Sequence, residues 1–248
     1  MTEQGLPHMS PGTGARIFLR SLLINAAWNF PKMQNIGFLY ALTPLADALG
    51  ERGKVLLSRH TDAFSTHPYM ASLIIGSVAR LEAQEDGDGA DAIHQKQALM
   101  GPYAAMGDPF FWGALLPVSS VVAVIVALWG SIAAPIVFII LYNSVHLWIR
   151  TRGFIDGWRN GAGALEFLKC LALPDKTRKL KWCSLVMLAF LAGSLFICYQ
   201  SVDFIFSDIV RGLLVLAAIF LVLFLRSRRI SSLAILYAAS ILFFVVAF

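Results

Sequence analysis

Residues 118–142 read VSSVVAVIVALWGSIAAPIVFIILY, 25 positions with no charged side chain. A helix of that length rises roughly 37 Å, enough for the roughly 30 Å hydrocarbon layer of a membrane. Blocks of the same character follow at 182–199, 209–225 and 231–248. A core helix of a soluble protein can imitate one such block, but four in half a chain point to membrane spans. Composition agrees. Of 248 residues, 58% are hydrophobic and 14% charged, against about 45–50% apolar and about 25% charged in soluble domains. A soluble chain with so few charges could not cover its core with a polar shell.

The formal net charge of +5 could suggest a nucleic-acid partner, but its distribution argues against one. Arg150, Arg152, Arg159, Lys169, Lys176, Arg178, Lys179 and Lys181 fall between the first and second apolar blocks, and Arg226, Arg228 and Arg229 between the third and fourth. Basic residues in short loops flanking spans mark the cytoplasmic side. This orients the second half: block one ends inside, block two leads out to the turn at 201–208, block three returns, and block four ends outside. The same charge could dock an acidic partner or lipid headgroups. Cys170, Cys183 and Cys198 show no metal-ligand spacing and no disulfide framework. Residues 1–14 are polar, with Gly and Pro punctuation, and read as a mobile tail rather than a signal peptide.

The first half has a different texture. Residues 16–28 are rich in Ile, Phe, Leu and Trp but too short to span, which places them in the membrane surface plane with Arg16 and Arg20 at the headgroups. Pro31 breaks the pattern, and 33–45 resumes it; 49–61 is charged and helical, Thr66-His67-Pro68 is a break, and 69–81 is an apolar helix. Glu82, Glu85, Asp86, Asp88 and Asp91, with Gly87 and Gly89, read as a solvated loop. From 97 to 117 the chain is apolar again, but Gly101-Pro102, Gly107-Asp108-Pro109 and Pro117 interrupt it. Interrupted apolar segments point to broken or re-entrant helices, tolerated at membrane depth only where they line a cavity or are buried in protein.

Asp108, in Gly107-Asp108-Pro109-Phe110-Phe111-Trp112, is the most informative residue of that stretch. It can accept hydrogen bonds from sugar hydroxyls beside the stacking face of Trp112, or it can cap a helix that starts at Pro109. His67 is a hydrogen-bonding residue at the break or a pore-lining donor. Gln34 and Asn35 form an amide pair whose partners are a neighbouring helix or a ligand. His146, with Trp148 and Arg150, reads as an interfacial belt without a chemical role. The chain carries no phosphate-binding Gly-Lys-Ser/Thr loop, HExxH, CxxC or serine elbow. Catalysis by this chain alone, a metal and a cofactor are therefore not expected.

Three blocks resemble one family. Arg20-Ser21-Leu22-Leu23, Trp28-Asn29 and Met33-Gln34-Asn35-Ile36-Gly37-Phe38 are similar to the opening signature of the mannose/fructose/sorbose-type phosphotransferase IID component. Phe64-Ser65-Thr66-His67-Pro68-Tyr69 looks like its next block, and Leu99-Met100-Gly101-Pro102 with Gly107-Asp108-Pro109-Phe110-Phe111-Trp112-Gly113 its most distinctive one. The sequence departs from the family where Ala114-Leu115-Leu116-Pro117 replaces a usual Thr-Leu-Arg-Pro, and where Arg211 replaces a proline. The C-terminal region is also short for the family. The resemblance implies a membrane subunit that forms a sugar passage with a IIC partner, while soluble IIA and IIB phosphocarriers relay phosphate from phosphoenolpyruvate to a hexose-like sugar.

The expected architecture is all-α: a polytopic integral membrane protein of the bacterial inner membrane, assembled as a hetero-oligomer. A disordered tail (1–15) precedes a IID-like region (16–163) with an interfacial helix, broken or re-entrant helices and the first span; C-terminal transmembrane helices (164–248) complete about four spans. Asn35, His67, Asp108 and Trp112 are the expected sugar-binding residues. The alternative is a non-transporting assembly or regulatory subunit that docks phosphotransferase partners through its basic stretch.

Overall fold

The computed structural model describes residues 10–84, 89–161 and 164–198, together with Ala217, Phe224 and Arg228. The chain divides into two compact units, Met1–Leu191 and Ala192–Phe248. Every regular element among the described residues is helical, and the only strand-like pairings are single bridges, Asn29 with Met33 and Met33 with Phe64.

Helix α1 (Pro11–Ser21) starts inside the stretch expected to be a mobile tail. Its start is well specified: the Ser10 hydroxyl accepts from the Thr13 N–H at 3.3 Å, and Pro11 sits in the first turn, where its missing N–H costs nothing. Arg20 lies 4.7 Å over the Tyr40 ring and donates to the Thr43 hydroxyl. Helix α2 (Asn35–Leu49) carries Pro44 in its interior. That proline removes the partner of the Tyr40 carbonyl, and the Thr43 hydroxyl donates to it at 2.8 Å. Helix α3 (Glu51–Arg59) follows Gly50, whose φ of 59° reverses the chain.

Helix α4 (Ala71–Ala83) is the core element, with Ile74, Ile75, Val78 and Ala79 fully buried. It crosses α7 (Ala134–Asn160) at backbone contact. A methyl built on Gly76 would stand 2.6 Å from the Phe154 carbonyl oxygen, and one on Gly157 2.2 Å from that of Leu73. Small residues at a crossing let two helices meet this closely, as membrane helices commonly do. Glu82, at the C-terminal end of α4, is buried rather than solvated: it pairs with His60 Nε2 at 2.9 Å and Arg59 at 3.4 Å.

The interrupted segment is, in the structure, one helical run. Helix α5 (Ala90–Phe110) passes through Pro102 and Pro109, a π-helical turn (Phe111–Leu115) follows, and α6 (Leu116–Leu128) begins with Pro117 in its first turn. The run continues through its prolines, and in the π-turn after Pro109 the Leu116 N–H reaches the Phe111 carbonyl, one residue further back than in an α-helix. The block at 118–142 is correspondingly not one span. Gly130, with φ of 75°, ends α6, and α7 restarts at Ala134 with proline in its first turn. The tip between them exposes Trp129 (79%) and Ile132 (97%), and its one polar side chain, Ser131, accepts from the Ala133 N–H at 3.3 Å.

Helix α7 then continues to Asn160, which puts Arg150, Arg152 and Arg159 on a helix rather than in a loop. Helices α8 (Ala164–Leu171) and α9 (Leu173–Cys198) follow; α9 contains most of the block at 182–199, while the block at 231–248, and that at 209–225 apart from Ala217 and Phe224, lie outside the described residues. Among the described residues, two helices are long and apolar enough to cross a membrane, Ala90–Leu128 and Ala134–Asn160.

Candidate functional site

The loop between α3 and α4 is held by amides and backbone. The Gln34 backbone N–H donates to the Phe64 carbonyl at 2.8 Å, and the Phe64 N–H donates to Lys32 at 3.2 Å. The Gln34 side chain accepts from the Thr66 N–H at 3.0 Å and donates to Asn25 at 2.8 Å. Asn35 is tied in the same manner: its carbonyl accepts from Asn29 at 2.9 Å and its amide donates to the Thr61 carbonyl at 3.2 Å. Both amides thus find neighbours in the protein, and Asn35 stands in a cluster apart from the other three expected site residues.

His67 is 1% exposed. Its ring stacks on Phe111 at 4.7 Å and 15°, tilts against Trp112 at 4.8 Å, and meets Tyr69 edge-on at 5.1 Å. Opposite, Gly107 leaves the necessary space: a methyl there would stand 2.5 Å from the His67 Cβ. The Tyr69 backbone N–H donates to His67 Nδ1 at 3.2 Å, so the neutral ring carries its proton on Nε2, which has no partner among the described residues. Burial, and then the nearby Arg150 cation, push the His67 pKa down from 6.5 to about 4. It is a neutral donor at physiological pH.

Tyr69 joins this cluster to α7. It stacks on His146 at 4.3 Å and 12°, meets Phe111 edge-on at 5.0 Å, and lies beneath the Arg150 guanidinium at 5.0 Å. His146, read from sequence as an interfacial belt residue, is therefore part of the packed wall, with Nε2 paired to Asn143 at 2.8 Å. Arg150 is likewise buried, at 6% exposure.

Asp108 does not cap a helix; it lies within α5, exposed, one turn before Trp112. Their four-residue spacing puts both on one helical face, and Trp112 is 52% exposed. A methyl on Gly113 would stand 3.8 Å from Lys181 Nζ of α9 and 3.9 Å from the Asp108 carbonyl oxygen, which brings an ammonium to the same turn. The structure thus groups Asp108, Trp112 and His67, and adds Tyr69, Phe111, His146, Arg150 and Lys181. The sequence signal for Tyr69 and Phe111 lies in the quoted motifs; the sequence marks Lys181 only as charge, and Arg150 as charge and as part of an interfacial belt. Among the described residues no three His, Cys, Asp or Glu side chains converge as a metal site.

With only helices as its regular elements among the described residues, two of them long and apolar, and a buried histidine–aromatic wall against a π-turn, the chain has the form of a helical membrane protein. It belongs to the PTS system mannose/fructose/sorbose family IID component, whose family profile matches residues 9–248. It is 39% identical over 155 residues to the PTS system mannose-specific EIID component of Escherichia coli K12, covering 58% of this chain and 54% of that protein. It is 33% identical over 186 residues to the Fructose permease IID component of Bacillus subtilis 168, covering 72% of this chain and 66% of that protein. The matched stretch thus spans about half to two thirds of these relatives' lengths. Among solved structures, a chain described as a membrane protein superposes with a TM-score of 0.71 at 27% identity, covering 94% of this chain and 95% of that one. A chain of the complex of the mannose transporter ManYZ with the microcin MceA gives 0.59 at 26%, covering 95% of each.

Proposed function

We propose that this chain is the IID subunit of a phosphoenolpyruvate-dependent sugar phosphotransferase of the mannose type, lining a sugar passage together with a IIC subunit. The observation that carries this reading is the family match along residues 9–248, which includes the His67 loop and the Asp108–Trp112 turn. The chain would sit as a multi-pass protein in the bacterial cytoplasmic membrane, its N-terminal helix at the interface, in a hetero-oligomer served by IIA and IIB phosphocarriers.

Sugar hydroxyls are recognised by a few convergent polar groups and an aromatic face. Asp108 accepts from hydroxyls, Trp112 stacks on the ring, and His67, enclosed behind Trp112, backs that stacking face. Asn35 acts from its own amide cluster, shaping the loop on which His67 sits. Nothing in this constellation breaks a covalent bond, so the phosphoryl group must arrive on IIB.

The test is sugar phosphorylation in membrane vesicles carrying this chain with its IIC and IIB partners, supplied with phosphoenolpyruvate and the general phosphotransfer proteins. Activity should require this chain and fall in Asp108→Asn and Trp112→Ala while the complex still purifies intact. Wild-type rates in both variants would remove these residues from the site. An intact complex that phosphorylates no hexose or amino sugar would instead favour a regulatory docking subunit.

A further inference from the structure

Arg150 is a buried cation with no carboxylate paired to it among the described residues. Its Nη2 donates to the Pro68 carbonyl at 3.0 Å, its Nη1 to the Leu22 carbonyl at 3.4 Å, and its guanidinium covers the Tyr69 ring. Burying an unpaired charge is expensive, so an arginine here calls for a reason beyond filling space. The two carbonyls belong to separate segments, the turn after α1 and the loop before α4, and the arginine that gathers them projects from a third element, α7. A planar guanidinium can hold two acceptors at once; a lysine ammonium in that place reaches one with comparable geometry.

The loop is anchored independently up to Thr66, by the bonds of Gln34 and Lys32. Beyond Thr66 the support changes. Pro68 has no N–H, so its carbonyl is the only backbone polar group by which that residue can be fixed. Arg150 occupies that carbonyl and, through Tyr69, faces the residue on the other side.

We propose that Arg150 is a positioning residue for the sugar site: it clamps the His67-Pro68-Tyr69 corner and the Leu22 turn onto α7, and thereby sets the His67 ring against Phe111 and Trp112. This rests on the sugar-passage reading above. Arg150 itself, enclosed by protein, does not touch the sugar.

The experiment compares wild type, Arg150→Lys and Arg150→Gln in the purified complex with the IIC partner, using sugar phosphorylation kinetics and amide hydrogen exchange. Arg150→Gln should raise the sugar KM about tenfold with a much smaller change in kcat, because a misplaced binding group weakens binding before it alters chemistry. Arg150→Lys should fall between, since it retains one of the two carbonyls. Exchange should rise at the amides of Tyr69 and residues 22–25 and stay unchanged in the centre of α4. An unchanged KM in both variants, or exchange rising evenly through α4 and α7, overturns the proposal. If the wild-type complex phosphorylates no sugar, the transport reading fails separately. The exchange pattern then decides the clamp alone: loosening confined to the corner and the Leu22 turn upholds it, and uniform or absent loosening overturns it.

Discussion

Replacing Gly157 with alanine tests the support on which the site is built. The new methyl would stand 2.2 Å from the Leu73 carbonyl oxygen and 2.9 Å from the Ser77 nitrogen. Ordinary carbon–oxygen contacts are about 3.3 Å, so α4 and α7 must part by roughly 1 Å. Both obstacles are backbone, and no rotamer change relieves them. Overpacking of this kind costs about 1–3 kcal/mol, and alanine's better helix propensity returns about 1 kcal/mol. The expected net loss is therefore up to about 2 kcal/mol. Gly101→Ala is the matched control: it lies in α5 with nothing within 4 Å of the added methyl, so only the propensity gain of about 1 kcal/mol acts. The two substitutions should move thermal unfolding in opposite directions, by roughly 2–4 °C per kcal/mol, followed by helical ellipticity of the purified protein in detergent. A Gly157→Ala protein that melts at or above wild type would refute the backbone-contact crossing.

Other outcomes follow from single sites. With His67 held neutral down to about 4, the unfolded chain takes up a proton as pH falls through 6.5 while the folded chain does not. Stability is therefore full above pH 6.5 and lost between 6.5 and 4, by at most about 3 kcal/mol; His67→Phe should flatten that slope in pH-dependent melting curves. Glu82→Ala leaves His60 and Arg59 without their carboxylate and should cost about 3 kcal/mol, read by denaturation in mild detergent; a change near zero would mean the trio is not a stabilising unit. Charge reversal at Lys176, Arg178, Lys179 and Lys181 should weaken binding of a phosphorylated IIB partner, and the wild-type affinity should fall with added salt. An affinity indifferent to salt would count against docking on that stretch.

The grouping of His67, Asp108 and Trp112 was legible because the motifs that hold them are short and each carries its own local geometry. Helicity and membrane character were legible from composition. Three features were not. The helix runs on through Pro102 and Pro109 although propensity marks each as a breaker, and Pro44 is offset by a hydroxyl one residue before it, a compensation that propensity cannot count. The Gly130 turn is hidden because Ser131 is its one polar side chain, between the exposed Trp129 and Ile132, too little to break the run of hydropathy. Arg150 read as a loop charge because its carbonyl partners lie 128 and 82 positions away, a distance over which no local pattern speaks.

The π-turn at Phe111–Leu115 has a consequence for how this chain can change. It holds one residue more than an α-helical turn needs, and each residue of an α-helix advances the side chains by about 100°. Deleting one residue there would restore α-helical bonding and leave α6 nearly in phase, because five π-helical residues turn the chain about as far as four α-helical ones. Closing the same residues into α-geometry without a deletion would instead turn α6 by roughly 100° and carry the buried Ser119 and Val121 away from their present neighbours. The widened turn is therefore a phase setting between two halves of one long rod: the upstream half is dialled to His67, the downstream half to α7, and the family's most distinctive motif is where the two phases are reconciled.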